Sequence, residues 1–206
     1  MTGNTRRFGA SLEKIKQVVE ARTGEIMFGL NLVVHKGKTI FVGDTSVHEY
    51  PTSEQMAEIA ISTARVVRLF GFEPKVAFVS HSTFGQPLTS RTKHIRKAVD
   101  ILKEQKVNFE FDGDMQPDVA LNSEYKELYP FSNIVGKANI LIMPGQHSAA
   151  ISYKMMKTLG DTKVIGPLLI GLGLPIEIAP LRSSTSELIN LASVAAYSAD
   201  IIDYKK

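Results

Sequence analysis

Three times along this chain an apolar run of strand length gives way to a stretch of helical period. Lys75 to Val79 leads to a helix predicted near Thr92–Gln105. The alternating Phe109 and Phe111 lead to one near Pro117–Tyr129, and Asn139 to Met143 leads to one opening after Pro144-Gly145. A strand that is followed by a helix re-enters its sheet running the same way. The repeat therefore predicts an α/β chain whose sheet is mainly parallel and covered by helices. Ile26 to Val34 and Thr39 to Val42 flank His35-Lys36-Gly37-Lys38, which reads as a tight hairpin. That pair adds an antiparallel component, so the expected sheet is mixed.

Three more helices carry recognisable ends. Leu12, Ile15, Val18 and Val19 predict a helix from about Ala10 to Arg22 that stops at Gly24. Thr52 and Gln55 form a capping-box pattern ahead of the stripe Met56, Ile59, Ala60, Thr63, Val66, Val67 and Phe70, which Gly71 closes. Ser184 and Glu187 form a second capping box for a final helix to about Ile202.

Composition removes several classes of function. With no cysteine there is no disulfide, cysteine nucleophile or cysteine-ligated metal. The net charge of +3 comes from basic residues spread along the chain, so no arm for nucleic acid stands out. Arg91, Lys93, His94, Arg96 and Lys97 read as a solvated helix face. The longest apolar run, Ile165 to Ile176, holds three glycines and two prolines, too short and too interrupted for a span of roughly 20 residues. No apolar signal core opens the chain. The expected setting is soluble and cytoplasmic, away from membranes. The same Gly-Pro-punctuated run suits a chain passing close to other backbone beside a cleft.

Several segments can carry chemistry. Ser80-His81-Ser82-Thr83-Phe84-Gly85 follows a parallel strand, where open α/β sheets bind ligands, and its hydroxyls suit a phosphate or a carbonyl. A polar turn built on Ser and Thr explains the same residues. His81 reads as a hydrogen-bonding histidine, because adjacency to serine does not make a triad. Asp112-Gly113-Asp114 reads as a turn and helix cap ahead of a cation site. Gly145-Gln146-His147-Ser148 opens a helix whose free N–H groups can meet an anion. It lacks the Gly-x-Gly-x-x-Gly pattern and the phosphate-loop lysine, so neither a dinucleotide nor an ATPase site is expected. The histidines have no zinc-ligand spacing. Arg182 beside Ser183 and Ser184 suits a phosphate, and equally a surface arginine next to a capped helix.

Four segments together resemble the phosphate acetyl/butyryl transferase family, and within it the C-terminal domain of bacterial hybrid malic enzymes. Val79 to Gly85 is similar to the family's Ser-x-Ser-Thr/Asn-x-Gly loop. Phe111 to Ala120 is similar to its Asp-Gly-Glu-Leu/Met-x-x-Asp-Ala segment, Ala138 to Pro144 with Tyr153-Lys154 to its next strand and helix, and Gly166 to Leu172 to its Gly-Pro-Ile-Leu-x-Gly turn. Phe41 to His48 and Gly3 to Arg7 resemble runs of the malic-enzyme branch.

The resemblance implies a three-layer α/β/α fold like that of isocitrate and isopropylmalate dehydrogenases, and a homo-oligomer, a dimer or larger. It implies that residues 1–206 are the C-terminal part of a transferase-like domain, with an upstream malic enzyme domain outside this chain holding the NADP and divalent-metal residues. The family's Ser-Arg pair aligns with Pro180-Leu181, its helix aspartate with Glu187, and a one-residue slip brings Arg182 to the arginine's place. Two CoA-holding arginines align with Thr158 and Glu13. The resemblance thus implies a regulatory domain without catalytic residues or a metal of its own. It would bind acetyl-CoA or a related metabolite through Arg6, Ser82, Thr83, Gly85, Arg182 and Glu187. Two alternatives remain, an active transferase moving an acyl group between CoA and phosphate, and a purely structural oligomerisation domain.

Overall fold

The computed structural model describes residues 6–203. Six strands form one sheet: β1 (Phe28–His35), β2 (Lys38–Gly43), β3 (Lys75–Val79), β4 (Glu110–Met115), β5 (Ile140–Ile142) and β6 (Thr162–Ile170), in the order β4-β3-β5-β2-β1-β6. β4, β3, β5 and β2 are parallel, whereas β1 runs antiparallel to both β2 and β6. Only β1 is reversed, so the sheet is mixed and mainly parallel, as the sequence predicts. The hairpin Lys36-Gly37 turn has positive φ at both residues, the geometry that suits the strand twist.

The helices are α1 (Phe8–Val18), α2 (Ser53–Leu69), α3 (Ser90–Glu104), α4 (Pro117–Leu121), α5 (Gln146–Leu159) and α6 (Thr185–Asp203). On one face, Leu30, Phe41, Phe78, Ile140 and Leu168 pack against α2, α3 and α6. On the other, Val33, Val42, Ala77 and Leu141 pack against α4 and α5. This is the three-layer α/β/α arrangement. A third apolar cluster seats Leu12 of α1 on Leu169, Leu172 and Ile178 at the end of β6. Both predicted capping boxes form. Thr52 and Gln55 bond reciprocally at α2, and the Ser184 N–H donates to Glu187 Oε2 at 2.7 Å while Glu187 N–H returns to Ser184 Oγ at 3.3 Å.

Four expectations change. The first helix ends at Val18, because Arg22 N–H donates to Gly171 O and Ala21 bridges to Leu172, which draws residues 19–22 out as extended chain. The helix expected over Pro117–Tyr129 breaks at Asn122 into α4 and a 3₁₀ segment, Ser123–Leu128. Asp112-Gly113-Asp114 is no turn: it lies inside β4, with Asp112 and Gly113 paired to Ala77 and Phe78 of β3 and Asp114 at a shift of register. The Gly166-to-Gly171 stretch belongs largely to β6, whose strand pattern is broken by a bulge. Leu30 opposes Leu168 and Leu32 opposes Ile165, so Gly166-Pro167 stand together across from Asn31.

One carboxyl at this end of the sheet is out of place. Glu177 is half-buried beside the α1 cluster, and burial pushes its pKa up to about 8 against a single stabilising bond from Leu169 N–H at 3.0 Å. Its folded value lies above the unfolded one, so between about pH 4.5 and 8 the native state holds a proton that the unfolded chain has released. Stability must fall as pH rises through that window, by at most about 4–5 kcal/mol. Glu177→Gln keeps the bond to Leu169 and removes the titration. Its melting temperature is expected to fall less between pH 5 and 8 than that of the parent, and parallel pH profiles would contradict this account.

Candidate functional site

Two places carry the residues singled out above. The first is the loop after β3. Asp114, fully buried at the end of β4, clamps it: Ser82 Oγ donates to Asp114 Oδ2, Gly85 N–H donates to Oδ1 at 3.0 Å, and Phe84 N–H donates to the Asp114 carbonyl at 2.6 Å. Thr83 Oγ1 accepts from Gln116 N–H at 3.2 Å. Ser82, Thr83 and Gly85 are all buried, and Arg96 closes over Gly85, donating to Phe84 O at 3.4 Å. These hydroxyls therefore hold the loop itself, and the exposed member of the segment is His81. A carboxylate that accepts several bonds in a dry site fixes geometry strongly.

The second place is a cleft of about 210 Å³ across the edge strand β6. Its floor is apolar, with Val164, Ile165, Pro167 and Leu191. Its rim carries Tyr153, Lys154 and Lys157 from α5, Arg182 and Ser183 from the turn ahead of α6, and Glu187 from the first turn of α6. The sequence placed Arg182 and Glu187 in a site, and both line this cleft. α5 and α6 lie on opposite faces of the sheet, and Lys157 Nζ reaches Glu187 Oε1 at 2.7 Å to join them over the strand edge. The Lys157 bond, then the Ser184 N–H, hold the Glu187 carboxyl down to about 2. Lys157 is half exposed, so this pair orients side chains more than it stabilises the fold.

Three lining cations face one lining carboxylate, so the cleft favours anions. Ser183 Oγ donates to Pro180 O at 2.8 Å and turns with that carbonyl into the same wall. The cleft is smaller than the roughly 300–1,000 Å³ of pockets that take drug-sized ligands, and it suits a small anion or the end of a longer molecule.

The two places do not merge. Three strands separate β3 from β6, which puts about 19 Å of sheet between them at the usual spacing. Arg6 is exposed just ahead of α1 and does not line the cleft. Sequence reasoning missed Lys154 and Lys157 as site residues. Their i, i+3 spacing on α5 is a usable signal, but only the crossing of α5 over β6 shows which way they point. Asp114 is no cap: its partners Ser82 and Gly85 lie 32 and 29 residues away in sequence, beyond the reach of local pattern. Among the described residues, no group of three or more His, Asp or Glu side chains is placed to hold a metal ion. No helix among them is long and apolar enough to cross a membrane.

Comparison with known proteins identifies the family and the fold. Residues 1–196 match the family described as phosphate acetyl/butaryl transferase. The chain is similar to the NADP-dependent malic enzyme of Rhizobium meliloti (strain 1021), 44% identical over 199 residues, covering 97% of this chain and 26% of that protein. It is similar to the phosphate acetyltransferase of Bacillus subtilis (strain 168), 31% identical over 200 residues, covering 96% of this chain and 60% of that one. Among solved structures, a phosphotransacetylase from Streptococcus pyogenes superposes with a TM-score of 0.86 at 28% identity, over 96% of this chain and 61% of that one. The chain thus spans about a quarter of the malic enzyme and about three-fifths of the acetyltransferase.

Proposed function

Since the chain belongs to the phosphate acetyl/butaryl transferase family, we propose that it is the regulatory, non-catalytic transferase-like part of an NADP-dependent malic enzyme. In this reading the cleft over β6 binds acetyl-CoA or a related metabolite, and the domain assembles as a homo-oligomer. The conversion of malate to pyruvate, with its NADP and divalent metal, belongs to an upstream domain of the parent polypeptide. The greater identity to a malic enzyme than to an acetyltransferase supports the assignment.

The observation that carries the non-catalytic part is the wall at residues 180–183. Pro180, which the resemblance aligns with the family's serine, lines the cleft, and the nearby Ser183 hydroxyl donates to the Pro180 carbonyl. A transition-state donor has to be free and aimed at the developing charge. The cationic rim still suits recognition, in which an anion needs only oriented charge. Acetyl-CoA would place its acyl end here and leave the nucleotide outside, given the cleft's size.

Titration calorimetry tests the reading. Acetyl-CoA is expected to bind the chain, and Arg182→Ala is expected to weaken that binding by about 10-fold or more, as for a lost charged hydrogen bond of roughly 1.5–3 kcal/mol. Unchanged affinity in the variant would remove the cleft from consideration. One observation favours a second reading, an active acyltransferase: Arg182 and Ser183 supply a guanidinium and a hydroxyl to the same cleft. Steady turnover of acetyl-CoA with inorganic phosphate, abolished by Arg182→Ala and by Ser183→Ala, would establish that reading over ours.

A further inference from the structure

The sheet edge away from β6 carries a charge that the fold leaves without a counter-ion. β4 is that edge, and Asp112 within it is 6% exposed. Its carboxylate curls round the strand: Oδ1 accepts from Gly113 N–H at 2.9 Å and Oδ2 from Asn133 N–H at 2.7 Å. A carboxylate has about four acceptor positions, so two are left over. The lysines beside it are engaged elsewhere, Lys75 with Glu110 at 3.3 Å and Lys103 with Asp100 at 3.2 Å. Among the described residues no ion pair includes Asp112. A buried charge is costly unless it is paired, and here the fold supplies hydrogen bonds but no cation.

Asp112 borders an open cleft of about 350 Å³, within the range of roughly 300–1,000 Å³ that small molecules occupy. One wall is α3, whose Arg96, Asp100 and Lys103 share a helix face by their spacing. The Arg96 guanidinium makes one long bond, to Phe84 O at 3.4 Å, which leaves most of its fork for a ligand. Another wall is Phe131, 64% exposed, which meets the Phe84 ring edge-on at 4.8 Å. The cleft thus joins a buried carboxylate, an available guanidinium and an uncovered aromatic face.

We infer that the cleft between α3 and β4 is a second binding site, for a free α-amino acid with an apolar side chain. The ammonium group donates to the spare positions of Asp112, the carboxylate takes the fork of Arg96, and the side chain lies against Phe131. A simple anion entering here faces Asp112 and Asp100, and a simple cation faces Arg96 and Lys103. Only a molecule that carries both charges is matched at both ends. The inference is independent of the cleft over β6, since the two lie at opposite edges of the sheet.

L-Leucine, 4-methylpentanoate (leucine without its ammonium group) and 3-methylbutylamine (leucine without its carboxylate) separate the two contributions. NMR titration of the intact chain follows the amides of Gly113 and Asn133, whose N–H groups bond Asp112. Leucine is expected to shift both signals and to bind at least about 10-fold more tightly than either analogue, as for one charged hydrogen bond. Asp112→Asn is expected to weaken leucine and 3-methylbutylamine by about 10-fold or more and to leave 4-methylpentanoate unchanged. Arg96→Met is expected to weaken leucine and 4-methylpentanoate and to spare the amine. Arg96 is exposed, so that variant serves if Asp112→Asn does not fold. The inference is overturned if leucine moves neither amide, if it binds no more tightly than its analogues, or if its affinity survives the substitutions. Equal loss of all three ligands in a folded variant overturns it as well.

Discussion

Gly171→Ala is expected to leave the chain largely unfolded under conditions where the parent is native, a loss of at least about 3–4 kcal/mol. Gly171 ends β6 with φ +85°, a region that side chains rarely adopt. Strain alone accounts for only about 1 kcal/mol. The larger part is contact: a Cβ would overlap the Ile26 carbonyl oxygen and lie 2.8 Å from its carbon, and both belong to backbone that cannot rotate away. Relief would need β6 to separate from the chain entering β1, which would break the Arg22 N–H to Gly171 O bond and open the cluster of Leu12, Leu169 and Leu172. Gly37 is the control. It also has positive φ but nothing within 4 Å, so Gly37→Ala should cost only the strain. Urea unfolding of the two variants checks this. A Gly171→Ala protein within 1 kcal/mol of the Gly37→Ala protein would refute the close-approach account.

The second large effect is expected at Asp44. This buried carboxylate closes the loop after β2: Oδ1 accepts from the N–H groups of Gly29, Ser46 and Val47 at 2.8, 2.8 and 3.1 Å, and Oδ2 accepts from His48 N–H at 2.7 Å. His48 Nδ1 lies a further 2.7 Å from Oδ2. Asp44→Ala strands four backbone donors at once, in a place where Gly29 has no room to shift, since a Cβ there would lie 2.7 Å from Ser46 Cβ. Each stranded buried donor costs about 1–3 kcal/mol where water cannot reach it. Partial hydration reduces the sum, and a loss of about 3–5 kcal/mol is expected. Asp44→Asn keeps an oxygen for Oδ1's partners and should recover part of it. If Asp44→Ala unfolds at the same urea concentration as the parent, the loop is held by something else.

These two residues mark what could and could not be read ahead of the structure. The glycine run at 166–173 announces close backbone approach, because few other needs place so many glycines in an apolar stretch. What they approach is set by the return of β6 alongside β1, across some 140 residues of chain. The run Phe41 to His48 resembles a known pattern, yet the sequence gives no reason for its aspartate. The reason is a ring of N–H groups drawn from β1 and from the loop's own turn. The helix caps at Thr52 and Ser184 were legible because both partners lie within one turn. Asp114 was not legible, because Ser82 and Gly85 come from another strand.

The sequence by itself determined the local periodicities: five of the six strands, the helices that cover them, the mainly parallel sheet, and the family pattern. Those depend on side chains a few residues apart, whose spacing survives in one dimension. Tertiary structure alone decided that the hydroxyls after β3 turn inward onto Asp114 while Arg182 and Glu187 meet Lys157 at the far edge of the sheet, because strand order decides which distant residues become neighbours. It decided as well that Asn31 is buried across from Gly166 in the β6 bulge, since burial belongs to the packed molecule and to no residue alone.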